Sequence, residues 1–168
     1  MKNIFLVLSI VFIGLNGLSA QEKKERKSPA AESKATVGDA EITINYSSPS
    51  VKGRAIFGDL VPFGKVWRTG ANEATVFEIS NDLMVNGQKL PAGKYGLFTI
   101  PNEDNWVIVF NSKWEQWGAY KYKEKEDVLR VEAKPETLNE TVEMLSIDFK
   151  ADKLSISWDK VGVAVDLK

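Results

Sequence analysis

From residue 35 onward the chain alternates apolar and polar residues with a period of two. Ile42, Ile44 and Tyr46 are separated by Thr43 and Asn45. Leu145, Ile147 and Phe149 follow the same rule, as do Leu154, Ile156 and Trp158, and then Val161, Val163, Val165 and Leu167. That spacing turns one face of a strand inward and the other toward water. Two runs, Gly96–Ile100 and Trp106–Phe110, are apolar on both faces and are expected as central strands paired in a hairpin. Asn86-Gly87 signals a second hairpin, and Asp152-Lys153 a turn between the strands near 145–149 and 154–158. Turn residues recur so often that the fold class expected is all-β. The architecture is an antiparallel β-sandwich, or a partly open barrel, with one long ordered loop. A single helical turn is expected at Glu136–Glu140, capped by Thr137, and the charged stretch Lys121–Asp127 reads as a loop.

The N-terminus follows different rules. Lys2 precedes an almost unbroken apolar run from Ile4 to Ile13, then small and polar residues to Ala20, then a charged stretch. This is the three-part form of a secretory signal peptide, too short to span a bilayer. Residues 1–20 are therefore expected as a signal peptide cleaved after Ala20. Residues 21–34 (QEKKERKSPAAESK) mix both charge signs without a large apolar side chain and are expected as a flexible leader. Residues 35–168 remain as a single β-sandwich domain. The protein is expected in the periplasm or outside the cell, with no membrane span once the signal is removed.

The chain has no histidine and no cysteine. Imidazole acid–base chemistry, Ser-His-Asp triads, thiolate nucleophiles, disulfides and histidine- or cysteine-ligated metals are all excluded. A formal charge of −1 argues against nucleic acid as a partner. Nothing in the sequence calls for a cofactor or a metal. Ser157-Trp158-Asp159-Lys160 matches S-x-x-K, but it ends a strand instead of opening a helix and has no companion motif. Asn102–Asn105 lacks the spacing of a calcium loop and reads as a turn.

One segment departs from the strand pattern. Residues 49–73 (PSVKGRAIFGDLVPFGKVWRTGANE) hold four glycines, and apolar residues such as Ile56, Leu60 and Trp67 should pack it down. From Lys34 onward the chain has fourteen lysines and three arginines, and two of those arginines, Arg54 and Arg68, fall here. Between Val51 and Gly70 four basic residues face Asp59 alone. A guanidinium holds carboxylate or phosphate through paired bonds. Two readings follow: Arg54 and Arg68 pair with Asp59 and Glu73 to fix the loop, or at least one of them contacts a ligand. Were there catalysis, Glu73 beside Arg68 would be the general base or acid. Asp59 and Glu115 are further carboxylates for a hydrolytic pair. Trp106, Trp114 and Trp117 lie within twelve residues. Trp106 reads as core, and Trp114-Glu115-Gln116-Trp117 as the lid of a sandwich end or a sugar-binding face. Tyr95, at a turn entering a strand, should bond its hydroxyl back to the preceding corner.

Three stretches carry a resemblance: Lys52-Gly53-Arg54, Phe63 to Glu73 (FGKVWRTGANE), and Leu90 to Pro101 (LPAGKYGLFTIP). On these the chain, from about Ala40 to Phe149, resembles domain-of-unknown-function family 2911, exported bacterial proteins common among Bacteroidetes. The family carries no established activity, so the resemblance implies location and lineage and no reaction. It also implies that Arg54, Trp67, Arg68, Asn72 and Glu73 act together as a site, and that Lys94 and Tyr95 belong to the signature. The function expected is a non-catalytic exported module. It would bind a small polar or anionic ligand, a glycan or a partner surface through the 52–73 loop. A carboxylate-dependent hydrolase of glycans or esters, and a purely structural envelope protein, are the alternatives.

Overall fold

The computed structural model describes residues 26–168. The expected signal peptide, and the leader as far as residue 25, lie outside the described residues.

Ten strands follow one another: β1 (Ala30–Val37), β2 (Ala40–Ser47), β3 (Thr75–Ile79), β4 (Leu83–Val85), β5 (Gln88–Leu90), β6 (Gly93–Ile100), β7 (Trp106–Asn111), β8 (Asp127–Ala133), β9 (Glu136–Lys150) and β10 (Lys153–Asp166). Among the described residues the only helical element is a 3₁₀ turn at Glu124–Glu126. No helix there is long and apolar enough to cross a membrane.

β1-β2-β3-β6-β7-β8 form one open antiparallel sheet. β9 and β10 form a long hairpin. The short β4–β5 hairpin joins the edge of β10, where Met84 and Lys168 exchange backbone hydrogen bonds of 2.7 and 2.9 Å. The two layers close face to face as an antiparallel β-sandwich. One apolar cluster between them draws on Ile44, Phe77, Leu97 and Phe110 from the first layer and Ile147, Ile156 and Trp158 from the second. Each fully buried side chain of this size contributes about 1.5–3 kcal/mol.

The alternation read from β2, β9 and β10 places its apolar members inward: Ile42, Ile44, Leu145, Ile147, Leu154, Ile156 and Trp158 are all buried. β6 and β7 pair as the expected hairpin. Two local expectations fail. Glu136–Glu140 is the start of β9 and not a helical turn, because Glu136 and Thr137 pair with Gly162 and Val161 of β10. The leader expected over 21–34 ends earlier, because Ala30–Lys34 already belong to β1, zipped to Thr43–Ser47 of β2.

Candidate functional site

The segment between β2 and β3 is sewn down at both ends. Near its start Val51 N–H donates to the Glu143 carbonyl (2.8 Å) and Lys52 N–H to Glu143 Oε1 (2.9 Å). Farther along, Trp67 and Thr99 of β6 exchange backbone bonds of 2.7 and 2.9 Å, and Ala71 N–H donates to the Ser47 carbonyl. Ile56, Val61 and Trp67 point inward and are buried. Phe57 packs edge-on against Trp67, Trp106 and Trp158, with ring centroids 5.9, 4.8 and 6.2 Å apart.

The backbone is unusual at three non-glycine positions of this segment. Lys52, Thr69 and Asn72 have φ of 48°, 53° and 59°. Asparagine tolerates this region, but a β-branched threonine there is strained. Thr69 is held by its surroundings. Its carbonyl accepts the Thr75 hydroxyl at 2.8 Å, its hydroxyl lies 3.2 Å from that of Thr99, and the residue is fully buried.

A cavity of about 580 Å³ opens beside this turn. Its floor is Trp67 and Trp158, stacked with centroids 5.7 Å apart and planes 15° from parallel. Pro49, Leu60 and Val61 make its apolar wall. Lys27, Lys52, Arg54 and Arg68 supply four cationic residues to the lining, and no carboxylate joins them among the described residues. Trp67 Nε1 donates to the Gly70 carbonyl at 3.1 Å. Trp158 Nε1 is sealed from solvent and has no hydrogen-bond partner among the described residues.

Arg54 is pinned to its own loop, Nε donating to the Val51 carbonyl (3.0 Å) and Nη2 to that of Ser50. Arg68 takes no ion pair among the described residues, and its buried Nε has no acceptor. Its Nη1 lies near Gly118, where an added Cβ would sit 3.6 Å from it. Burial lowers the Arg68 pKa from its ordinary value, and the nearby Tyr120 phenol partly offsets this.

The expected pairing of Arg54 and Arg68 with Asp59 and Glu73 is not what the structure holds. Glu73 is claimed by Arg26, whose Nη1 and Nη2 donate to its two oxygens at 2.8 and 2.9 Å. That fork-to-fork bond depresses the Glu73 pKa below the usual carboxylate range. Glu73 lines a separate, smaller hollow of about 230 Å³ with Arg26, Tyr46 and Ser47. Asn72 donates to Ser47 Oγ (3.1 Å) and the Ser28 carbonyl (3.4 Å). Of the five residues named from sequence, Arg54, Trp67 and Arg68 therefore share the cavity. Asn72 and Glu73 instead hold the chain at 26–29, whose Lys27 and Ser28 form part of the cavity wall.

Lys27, Leu60 and Trp158 escaped the sequence reading as site residues. Leu60 stood inside the right loop. Lys27 sat in a stretch with no apolar signal, and Trp158 reads as an ordinary inward strand residue. Trp106 is core, as expected. Trp114 instead carries the Lys94 ammonium 4.4 Å above its ring, and Trp117 is 59% exposed. Among the described residues no cluster of three acidic side chains is arranged to hold a metal ion.

No curated protein and no solved structure matches the chain. The resemblance read from the W-R-x-G-A-N-E and P-A-G-K-Y blocks does meet a family match, and it covers nearly the whole sandwich. The chain belongs to the family described as Protein of unknown function (DUF2911), matched over residues 28–167.

Proposed function

We propose that this protein is an exported, non-catalytic module that binds a small anionic ligand in the cavity beside the 52–73 loop. One observation carries the reading. The cavity gathers Lys27, Lys52, Arg54 and Arg68, and among the described residues no carboxylate lines it to neutralise them. A cationic hollow without internal counter-charge attracts an oxyanion, and low-dielectric walls strengthen the attraction. Arg54 is already oriented by its own loop, so little side-chain entropy remains to be lost on binding. Export rests on the three-part pattern of residues 1–20.

The hydrolase alternative has less support. Its nominated base, Glu73, lies outside the lining of the cavity and spends both oxygens on Arg26.

Differential scanning fluorimetry and calorimetric titration at constant ionic strength test the proposal. The panel is inorganic phosphate, sulfate, small carboxylates and neutral sugars. At least one oxyanion should raise the melting temperature saturably while neutral sugars do not. Lys52→Gln and Arg54→Gln should each weaken that binding about tenfold or more, the usual worth of a charge-assisted bond. No saturable effect from any oxyanion, or equal effects from sugars, overturns it.

A further inference from the structure

The cavity has two chemically different halves, and that division says more about the ligand than its charge does. Lys27, Lys52 and Arg54 are exposed and stand at the rim. Beyond Ser28, Ser50, Arg68 and the turn at 70–71, the rest of the lining is apolar: Pro49, Leu60, Val61 and the two stacked indoles. The floor offers no polar handle, because Trp67 Nε1 is spent on the Gly70 carbonyl and Trp158 Nε1 is sealed off. Leu60 is left 46% exposed although it borders the cavity. Met144, which accepts the hydroxyl of the lining residue Ser50 at 2.9 Å, is 36% exposed at the same edge.

A bare phosphate would satisfy the rim and leave Leu60, the one largely exposed apolar side chain of the lining, wet. A sugar would bring hydroxyl donors to side chains that are almost all donors themselves. The chemistry that satisfies both halves is an anion on an apolar body. We infer that the cavity takes an amphiphilic anion: a carboxylate or phosphate-monoester head held by Lys27, Lys52 and Arg54, with an alkyl or acyl chain lying against the exposed Leu60 and Met144 at the mouth, above the buried Val61 and indoles. This rests on the anion-site reading above and narrows it. The same head and chain occur in a free fatty acid and in a membrane lipid, so the test separates the two sources.

Titration calorimetry of the full-length protein with acetate, hexanoate, octanoate and decanoate below their micellar concentrations reads the chain contribution. Inorganic phosphate and octyl glucoside serve as head-only and chain-only probes. Affinity should rise by up to about fourfold per added methylene, the worth of one fully buried CH₂. Lys52→Gln and Arg54→Gln should weaken decanoate about tenfold or more. Leu60→Ser, at an exposed position, should keep the circular-dichroism spectrum and flatten the chain-length dependence. Sedimentation with phosphatidylglycerol vesicles but not phosphatidylcholine vesicles would assign the head to a lipid in its bilayer. Decanoate binding without vesicle binding would assign it to the free amphiphile, and either result supports the inference. If acetate or phosphate binds as tightly as decanoate, the amphiphile falls and the anion site stands. If octyl glucoside equals octanoate, or if nothing binds, both fall.

Discussion

Tyr95 carries a fully formed local interaction. Its ring is buried against Phe110, with centroids 6.4 Å apart, and its hydroxyl donates to the Pro91 carbonyl four residues back at 2.7 Å. The bond ties the β5–β6 corner to the sandwich, and its donor and acceptor are neighbours in sequence, so it was legible there. Tyr95→Phe keeps the ring and leaves a carbonyl without its partner. It should cost about 1 kcal/mol and lower the melting temperature by about 3 °C. A circular-dichroism melt unchanged within 1 °C would show that the corner carries no energy. Glu73 teaches the reverse. Its acidic character was legible, but its partner was not, because Arg26 lies 47 positions away. A charge chooses among all carboxylates that the fold brings near, and sequence proximity to Arg68 had no say. Both members of the Arg26–Glu73 pair are about half exposed, so water screens them. Glu73→Gln should therefore change the unfolding free energy by about 0.5 kcal/mol or less in urea titration. A loss of several kcal/mol would mean that the chain at 26–29 supports far more of the fold than its contacts indicate.

Strands differ in how much of themselves they print in the side-chain pattern. β2, β6, β7 and β10 bury one or both faces, so their apolar residues betray them. β1 is an edge strand whose burial is intermediate or slight until Val37. It is held mainly by backbone pairing with β2, and backbone groups are alike in every residue, so AAESK looked like linker. The first half of β9 fails to announce itself for the same reason. It is exposed at most positions, and the register with β10 breaks between Ser157 and Val161. β6 shows the opposite extreme, a strand so enclosed that one position admits no side chain at all. A Cβ on Gly96 would sit 2.7 Å from Cε2 of the fully buried Phe98 and 3.2 Å from the Lys113 carbonyl. Neither a packed ring nor a backbone oxygen yields cheaply. Gly96→Ala should cost about 1–3 kcal/mol, seen as a lower urea midpoint with an unchanged slope. An unaltered midpoint would mean that β6 and the 112–118 loop slide apart more freely than their packing implies.

At the scale of the molecule, the lack of histidine dictates the shape of the stability–pH curve. No side chain of ordinary pKa titrates between the carboxylates and the tyrosines, so stability should be flat across neutral pH. The limbs come from the structure. Glu73 has its pKa lowered by Arg26, from an ordinary 4.5. Its contribution is present above that value and lost as pH falls through the lowered folded-state pKa. Exposure keeps this limb shallow. On the alkaline side Tyr122 has the largest rise, beside smaller ones at Tyr95 and Lys153. Burial, then the 2.6 Å bond to Asp127 Oδ2, pushes the Tyr122 phenol pKa well above the ordinary 10.0. A group raised in the folded state binds protons more tightly there than in the unfolded chain. Its contribution is therefore complete below pH 10 and lost as pH rises above it. Asp127 is enclosed and also accepts from Asn111 (2.7 Å) and Arg130 (3.1 Å), so it keeps two donors when Tyr122 is changed. Tyr122→Phe should lower stability by about 1–3 kcal/mol at pH 7, the worth of a hydrogen bond to a charged group. It should also make the fall above pH 10 shallower than in the wild type. Urea denaturation at half-unit steps from about pH 2 to 11 reads both limbs. Parallel wild-type and variant curves above pH 10 would show that Tyr122 ionises in the fold as readily as in the open chain.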